Sequence, residues 1–469
     1  MKQYYLNLND NPFLYHRAVL DCFEGKWKRD DVLSHIEKQA GIPRHEILLD
    51  MLDTMDDKNA ERQHGRVKIE AVDSCALALE ETIECILDGR REDVDITPPK
   101  IRSRPDGMTG KQRDIALLCM SHQLVEHTVF ILLEPLFKAK LYPTQHASIP
   151  EHGQTRLKNQ VNKYLRKKSL NIKYACKTDM RHAYQSVKYK RVIKELKKDI
   201  PNATHIFKLL SFLGDIAPGG HLIIGGYLDA WLFNYMMSKV IKYAYSLGKT
   251  RRGKFIPYAT RIVTFMDDML ILSSSYKSIN FVIKKIKKFA YTELGMTLKI
   301  TTGITKLLTI EEERARKKYD GAYRGCPVID MAGFKIYRGH VAIRRRVFLR
   351  TRRQFLRAWR DFNTRGTFSI QRAKKLISYY GYVKQTNSQD FIEKYHVNEI
   401  MTVAKRIVLS HAYLANRKLK EKLNDIKERT IEFKARVSET GKFARWPAES
   451  YHFRKYFGNR KRRRNTVPV

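Results

Sequence analysis

Cysteine is scarce and scattered: the six residues Cys22, Cys75, Cys85, Cys119, Cys176 and Cys326 offer no pair at the close spacing of zinc ligands. A chain of 469 residues can bury a sizeable core without cross-links, so neither a disulfide scaffold nor a cysteine-rich zinc site is expected. Long apolar runs are missing too. No stretch stays uncharged for the roughly 20 residues that a membrane span needs. The start, Met1-Lys-Gln-Tyr-Tyr5, leads into polar residues without an apolar signal core. The expectation is a soluble, cytoplasmic protein with no membrane partner. There is no phosphate-binding glycine loop of the Walker type, no Ser-His-Asp arrangement, no internal repeat and no low-complexity linker. Acids are in deficit, with 49 Asp and Glu against 90 Lys and Arg, a formal charge of +41.

That surplus of base is larger than solubility alone calls for and points to a polyanionic partner. A disordered basic tail would lack the 43% hydrophobic content and the periodic apolar segments present here. The expectation is an ordered globule that binds nucleic acid. Residues 1–95 carry helical periodicity, as in Asp31-Val-Leu-Ser-His-Ile and around Cys75 to Leu87. Thr97 to Gly110, punctuated by Pro and Gly, reads as a boundary or mobile loop. A long buried helix is expected over 116–140, then the loop His146 to Gly153 and a basic helix. Over 171–310, short β-prone runs (Tyr174 to Thr178, Arg261 to Phe265, Met269 to Ser273) alternate with helices near 187–200, 227–246 and 276–293. This texture predicts an α+β domain with a small sheet. Beyond 340 the chain is helical and basic, ending in Gly458-Asn-Arg-Lys-Arg-Arg-Arg464.

The sharpest local feature is Arg261-Ile-Val-Thr-Phe-Met-Asp267-Asp268-Met-Leu-Ile-Leu, two β-prone arms around adjacent acids. It predicts a hairpin with carboxylates at its tip. Upstream, Tyr174-Ala-Cys-Lys-Thr brings Asp179 to a strand end. Three aspartates meeting at one end of a sheet would suit phosphoryl transfer, in which two Mg²⁺ ions about 4 Å apart neutralise charge on the attacking and leaving oxygens. Mg²⁺ takes carboxylate and water and needs no all-protein cage. Mn²⁺ is the alternative ion.

In order and spacing, Asp179-x-x-x-x-Tyr184, a glycine-containing segment and Phe265-Met-Asp267-Asp268 resemble motifs A, B and C of reverse transcriptases. The middle segment, Gly219 to Asn234, is similar to motif B of diversity-generating retroelement and phage-defence enzymes. Leu294-Gly-Met-Thr-Leu-Lys299 looks like motif D, and Met331-Ala-Gly333-Phe-Lys-Ile like motif E. The resemblance covers residues 100–350 and names the defence-associated, abortive-infection and retroelement branch of bacterial enzymes.

It implies a right-hand polymerase: a helical N-terminal extension (1–95), fingers (96–170), palm (171–340), a basic helical thumb (341–440) and a basic tail (441–469). It implies that Asp179 and Asp267 bind the metals with Asp268 in support. Tyr184 would exclude a ribose 2′-hydroxyl or serve as a core aromatic. Lys111 and Arg113 would hold the triphosphate. Gly225 and Gly226 would let the backbone approach template or nucleotide, or turn the chain into the next helix. Asp229-Ala230 stands where relatives have Ser-Gln, which places an acid near the expected templating base. The motif D lysine is displaced, leaving Lys299 and Lys306 as alternatives, and Phe265 replaces the commoner Tyr.

Downstream, Arg346, Arg350, Arg353, Arg357 and Arg360 recur at steps of four and three, one cationic stripe on a helix, with Phe348, Phe355, Trp359 and Phe362 on the opposite face. Such a helix packs by its aromatics and grips phosphates by its arginines. The expected activity is RNA-directed DNA polymerisation in anti-phage defence. Its partners would be a noncoding or template RNA, the cDNA product, dNTPs and a homo-oligomeric copy or accessory protein. The alternatives are a mutagenic retroelement enzyme, template-independent or protein-primed synthesis, and an inactive RNA-binding scaffold.

Overall fold

A computed structural model describes residues 4–56, 66–105, 112–320 and 326–440. Four helices open the chain: α1 (Leu14–Phe23), α2 (Asp30–Ala40), α3 (Arg44–Asp56) and α4 (Arg66–Asp88). Their apolar stripes, including Val19, Ile36, Ile47 and Ile83, are buried. These helices do not close a core of their own. Their buried residues join one continuous cluster with those of α5 (Met120–Lys140), so the expected extension packs directly onto this longer helix.

Between them, β1 (Lys100–Pro105) and β2 (Gln112–Leu117) pair antiparallel, Arg104 opposite Arg113. The boundary or loop expected over Thr97 to Gly110 takes in the whole of β1. Lys-Ile-Arg-Ser-Arg-Pro is exposed along its whole length, so no alternation of apolar and polar residues marks it as a strand. Lys111 lies outside the described residues.

After α6 (Gln154–Arg166), the central sheet begins with β3 (Tyr174–Arg181) and continues after α7 (Tyr189–Asp199), α8 (Thr204–Ile216) and α9 (Tyr227–Ser246). Helix α8 has no counterpart in the sequence expectation. A small hairpin, β4 (Gly248–Arg251) and β5 (Lys254–Pro257), precedes β6 (Arg261–Phe265) and β7 (Asp268–Ser273). Then come α10 (Tyr276–Leu294), β8 (Thr297–Ile300) and β9 (Thr305–Lys306). The strand order is β6-β7-β3-β8, with β9 also pairing β3, all antiparallel. Alternation along β3 sends Cys176 and Met180 into the large core shared with α9 and α10. Ala175 points the other way, into a second core with Leu157 and Val161 of α6, Leu270 and Leu272 of β7, and the strand residues Ile329 to Val341.

Those last strands are β10 (Ile329–Met331), β11 (Phe334–Ile336) and β12 (Val341–Ile343), which come after α11 (Ile310–Asp320). A third core joins α12 (Arg345–Arg365), α13 (Ile370–Lys384), α14 (Gln389–Lys394) and the first turns of α15 (Val397–Thr440). Farther along α15, Leu423 is buried in the first cluster, so this helix bridges the C-terminal core and the N-terminal helices. The fold class is α+β. The expected basic tail, 441–469, lies outside the described residues, and among those described no helix is long and apolar enough to cross a membrane.

Candidate active site

The β6–β7 arms pair from Arg261 with Leu272 to Phe265 with Asp268, leaving Met266 and Asp267 as a two-residue turn. Met266 takes φ 54°, a left-handed conformation that a residue with a Cβ rarely adopts and that a tight hairpin demands at its tip. The next strand locks the tip in place, since the Met180 N–H donates to the Asp267 carbonyl at 3.2 Å. Thr178 pairs with Met269 and Lys177 with Leu270. Period-two alternation then puts Lys177, Asp179, Asp268 and Leu270 on one face of the sheet, the face that turns away from α10. The structure thus brings the three predicted aspartates to the same end of β3 and the hairpin.

The crowding shows in the acidities of Asp267 and Asp268. Burial, then the charges of Asp179 and Asp268, push the Asp267 carboxyl up to about 6. Burial raises Asp268 as well, while Lys177 and, more weakly, Arg344 pull it back. The Lys177 ammonium sits 2.9 Å from Asp268 Oδ2. Among the described residues, no group of three or more His, Cys, Asp or Glu side chains is disposed to hold a metal ion by itself. A divalent cation would nonetheless relieve the repulsion among Asp179, Asp267 and Asp268, and Mg²⁺ needs only one or two carboxylates, with water and substrate phosphate completing its shell.

Tyr184 comes after β3, in a turn. Its ring stacks on Phe233 of α9 at 5.3 Å and 20°, and its hydroxyl lies 3.9 Å from Met266 Sδ at the hairpin tip. Burial, together with the charges of Asp229 and Asp267, raises its phenol. The residue therefore packs as a core aromatic while its polar end borders the carboxylates. Of the two lysine alternatives, Lys299 pairs with Asp179 across β3 and β8, whereas Lys306 pairs with Tyr174. The separation along β3 is roughly 17 Å at ~3.3 Å per residue. Only Lys299 adjoins the aspartates.

Both glycines before α9 are required by protein neighbours. Gly225 holds φ 122°, and a Cβ there would meet the Ala116 carbonyl oxygen at 2.6 Å; the Ala116 N–H donates to the Ile224 carbonyl at 2.8 Å. A Cβ on Gly226 would lie 2.1 Å from Asp229 Oδ2 and 2.7 Å from Glu126 Oε1. Asp229 and Glu126 are fully buried, and those two converging oxygens have no hydrogen-bond partner. Their other oxygens are satisfied. Tyr189 Oη donates to Asp229 Oδ1 at 2.6 Å, and the Tyr227 N–H donates to Glu126 Oε2 at 2.8 Å. Burial raises both carboxyls, Asp229 to about 7 and Glu126 well above its ordinary range, with the charge of Asp229 adding to the effect on Glu126. Both carboxyls ionised together would leave two buried charges without a counter-cation, so at least one of them keeps its proton. The expectation that Asp229 stands near a templating base is corrected: its side chain is sealed inside the protein.

Arg113 is exposed on β2. On α12, Val347, Thr351, Phe355 and Ala358 form the buried stripe, with Phe348, Trp359 and Phe362 packed beside it. Arg346, Arg353, Arg357 and Arg360 are exposed and Arg350 half-buried. Arg350, Arg353 and Arg357 line a cleft with Lys375, Tyr379 and Tyr382 of α13. Sequence reasoning missed Lys177, Arg344 and Glu126. Lys177 was legible by alternation from Asp179, and Glu126 as the one acid in the apolar run Leu124 to Leu133. Nothing local signals Arg344, which tertiary folding delivers.

No family model matches the chain, and no curated protein matches it. Among solved structures it is similar to telomerase from Candida albicans in complex with the TWJ fragment of telomeric RNA, at 12% identity and a TM-score of 0.38, covering 74% of this chain and 68% of that one. It is also similar to apo telomerase from Candida tropicalis, at 10% identity and a TM-score of 0.36, covering 82% of each chain. Likeness at this level carries no inference about activity or partners.

Proposed function

We propose that this protein is an RNA-directed DNA polymerase of the reverse-transcriptase type. The observation that carries the proposal is the antiparallel register that sets Asp179, Asp267 and Asp268 together at one end of the β6-β7-β3-β8 sheet. Divalent ions, Mg²⁺ or Mn²⁺, would be held there by Asp179 and Asp267 with Asp268 in support, water and substrate phosphate completing the shell, and would supply charge neutralisation for phosphoryl transfer. Around them the chain's own residues have distinct tasks. Tyr184, whose hydroxyl borders the hairpin tip, excludes a ribose 2′-hydroxyl and favours dNTPs. Lys299, facing Asp179 across the sheet, delivers a proton toward the leaving pyrophosphate. Arg113, with Lys111, contacts the triphosphate. The arginines of α12 hold the template and its cDNA product by their phosphates.

In this reading α5, α6 and the β1–β2 hairpin serve as fingers, the central sheet as palm, and α12 to α15 as thumb. The motif resemblance to phage-defence enzymes supports a defence role with a bound noncoding RNA. Template-independent or protein-primed synthesis stays as the second reading on the atypical motif B, while the burial of Asp229 takes away its other support. The test is incorporation of labelled dNTPs by protein purified with its co-bound nucleic acid, comparing wild type with the double variant Asp267→Ala, Asp268→Ala. Incorporation confined to wild type, with products complementary to the bound RNA, is the expected result. Equal incorporation by both, or none by either while RNA stays bound, overturns the proposal.

A further inference from the structure

Helix α10 turns one face to the core, through Ile279, Val282, Ile283, Ile286, Ala290 and Leu294. Its opposite face is unusual. Lys277, Phe281, Lys284, Lys288 and Tyr291 recur at steps of four, three, four and three, and therefore form a single straight stripe on an α-helix. From Lys277 to Tyr291 the stripe is about 21 Å long at ~1.5 Å per residue. Phe281 is 41% and Tyr291 67% exposed, and Tyr276, at the first turn, is 52% exposed. Large aromatics this open to water are not part of a core, and here they alternate with exposed cations. The acid of this helix, Glu293, falls on the other side of the helical wheel, so the stripe carries no negative charge.

A second basic element adjoins it. The β4–β5 hairpin exposes Lys249, Arg251, Arg252 and Lys254, together with Phe255 at 50% exposure. Tyr258, just after the hairpin, meets Phe281 edge-on at 5.5 Å, which joins the hairpin base to the middle of the α10 stripe. Lys285 also lies 5.4 Å over the Phe281 ring. The whole surface is on the side of the sheet where α10 packs, opposite the face that carries Asp179 and Asp268.

We infer that the outer face of α10, continued by the β4–β5 hairpin, is a docking surface for single-stranded RNA, separate from the carboxylate site and from the α12 arginines. Cations at helical spacing match a phosphate backbone. The exposed rings of Tyr276 and Tyr291 at the two ends of the helix, with Phe281 among the lysines, match unpaired bases, which stack on such rings with little regard to sequence. An acidic peptide or an anionic membrane would use the lysines but would have less use for rings spaced between them. The choice of RNA rests on the polymerase reading, which brings an RNA strand to the protein. On that reading, the surface holds unpaired RNA on the rear of the palm.

The experiment measures binding of a fluorescent, unstructured RNA oligonucleotide to the full chain across a salt series. The variants are Tyr291→Ser, the pair Lys284→Gln, Lys288→Gln, and a charge-matched control on another helix, Lys190→Gln, Lys194→Gln. All lie on exposed positions outside the carboxylate site. Tyr291→Ser is expected to weaken binding about fivefold or more at unchanged salt slope, since a stacked base is lost and no charge is. The α10 lysine pair is expected to lower the salt slope by ~0.7 per lysine and to weaken binding more than the control. Equal losses in both lysine pairs, with Tyr291→Ser silent, overturn the inference. So does an α10 dependence seen only with single-stranded DNA or anionic vesicles. dNTP incorporation on a short preannealed duplex separates the two proposals. Activity with no α10-dependent RNA binding sinks this inference alone, and α10-dependent binding without activity in any form sinks the polymerase reading alone.

Discussion

Lys177 Nζ lies 2.9 Å from Asp268 Oδ2, on the same sheet face as Asp179 and two residues before it, so this cluster of carboxylates carries its own counter-cation. The lysine holds part of the negative charge that a divalent ion would otherwise have to balance alone. Replacing it by methionine keeps the aliphatic stem and removes the charge. Burial already raises Asp268, and Lys177 opposes that rise. Lys177→Met should therefore move the acid limb of the incorporation pH profile to higher pH and slow incorporation on the order of tenfold near pH 6.5. An unshifted limb would show that the contact is structural only.

Asp267 provides a stability test that does not depend on activity. Its folded acidity lies near 6, above the ordinary 3.8, so the folded state binds the proton more tightly than the unfolded one. Stability is then highest below the unfolded value and falls as pH rises through about 6. In chelator, Asp267→Asn should flatten that fall and gain about 1–2 kcal/mol at pH 7.5, allowing for the partial solvent exposure of the group, while abolishing incorporation. Chemical denaturation at pH 4.5 and 7.5 checks the sign. A variant that loses stability at pH 7.5 would contradict it.

The buried pair Glu126 and Asp229 predicts a second pH effect of the same sign, at higher pH. Both carboxyls are raised, so the folded state keeps a proton that the unfolded chain has lost by neutrality, and stability drops as pH rises through about 7. His122, 3.7 Å from Glu126, is depressed by burial to about 4 and stays neutral across that window. Tyr189 and Tyr184, also beside Asp229, ionise only far above it. Asp229→Asn takes away one of the two raised carboxyls and the charge that raises the other, and should remove most of the decline between pH 6 and 9. Gly226→Ala should cost about 2–3 kcal/mol or prevent folding, because its methyl would occupy the meeting point of the two acids. A Gly226→Ala protein as stable as wild type would show that the oxygens do not converge there.

On α12, the arginines act by charge and the aromatics by packing. Arg353→Gln with Arg357→Gln should lower the slope of duplex affinity against salt by about 0.9 for each phosphate left without its arginine, with little change in melting temperature. Phe355→Ala, at a fully buried position, should cost about 3–5 kcal/mol. Salt-series binding and thermal melts distinguish the two. A large melting change in the arginine variant would assign those side chains to the fold.

Much of this was legible in the sequence because the local signals agree with the tertiary result. Alternation and a two-residue turn mark the Arg261–Ser273 hairpin, and α9 and α10 follow the apolar period within a residue or so of the expected ends. The α12 stripes follow from helical spacing alone. Strand β1 was hidden because exposed residues leave no pattern, and α8 was missed although its apolar content is high. Lys299 and Lys306 were indistinguishable until register placed one against Asp179 and the other against Tyr174.

The sequence by itself determined the charge, the three aspartates, the order of their motifs and the two-faced helices, since these depend on residue type and on spacing along one chain. Tertiary structure alone decided which groups meet across that chain. Strand pairing set Asp179 beside Asp267 and Lys299. Helix packing turned Asp229 inward against Glu126, whose partner lies about a hundred residues away in sequence, too far for any periodicity to couple them. Burial then reset the proton affinities of those acids, and burial is a property of the packed molecule that no residue carries in isolation.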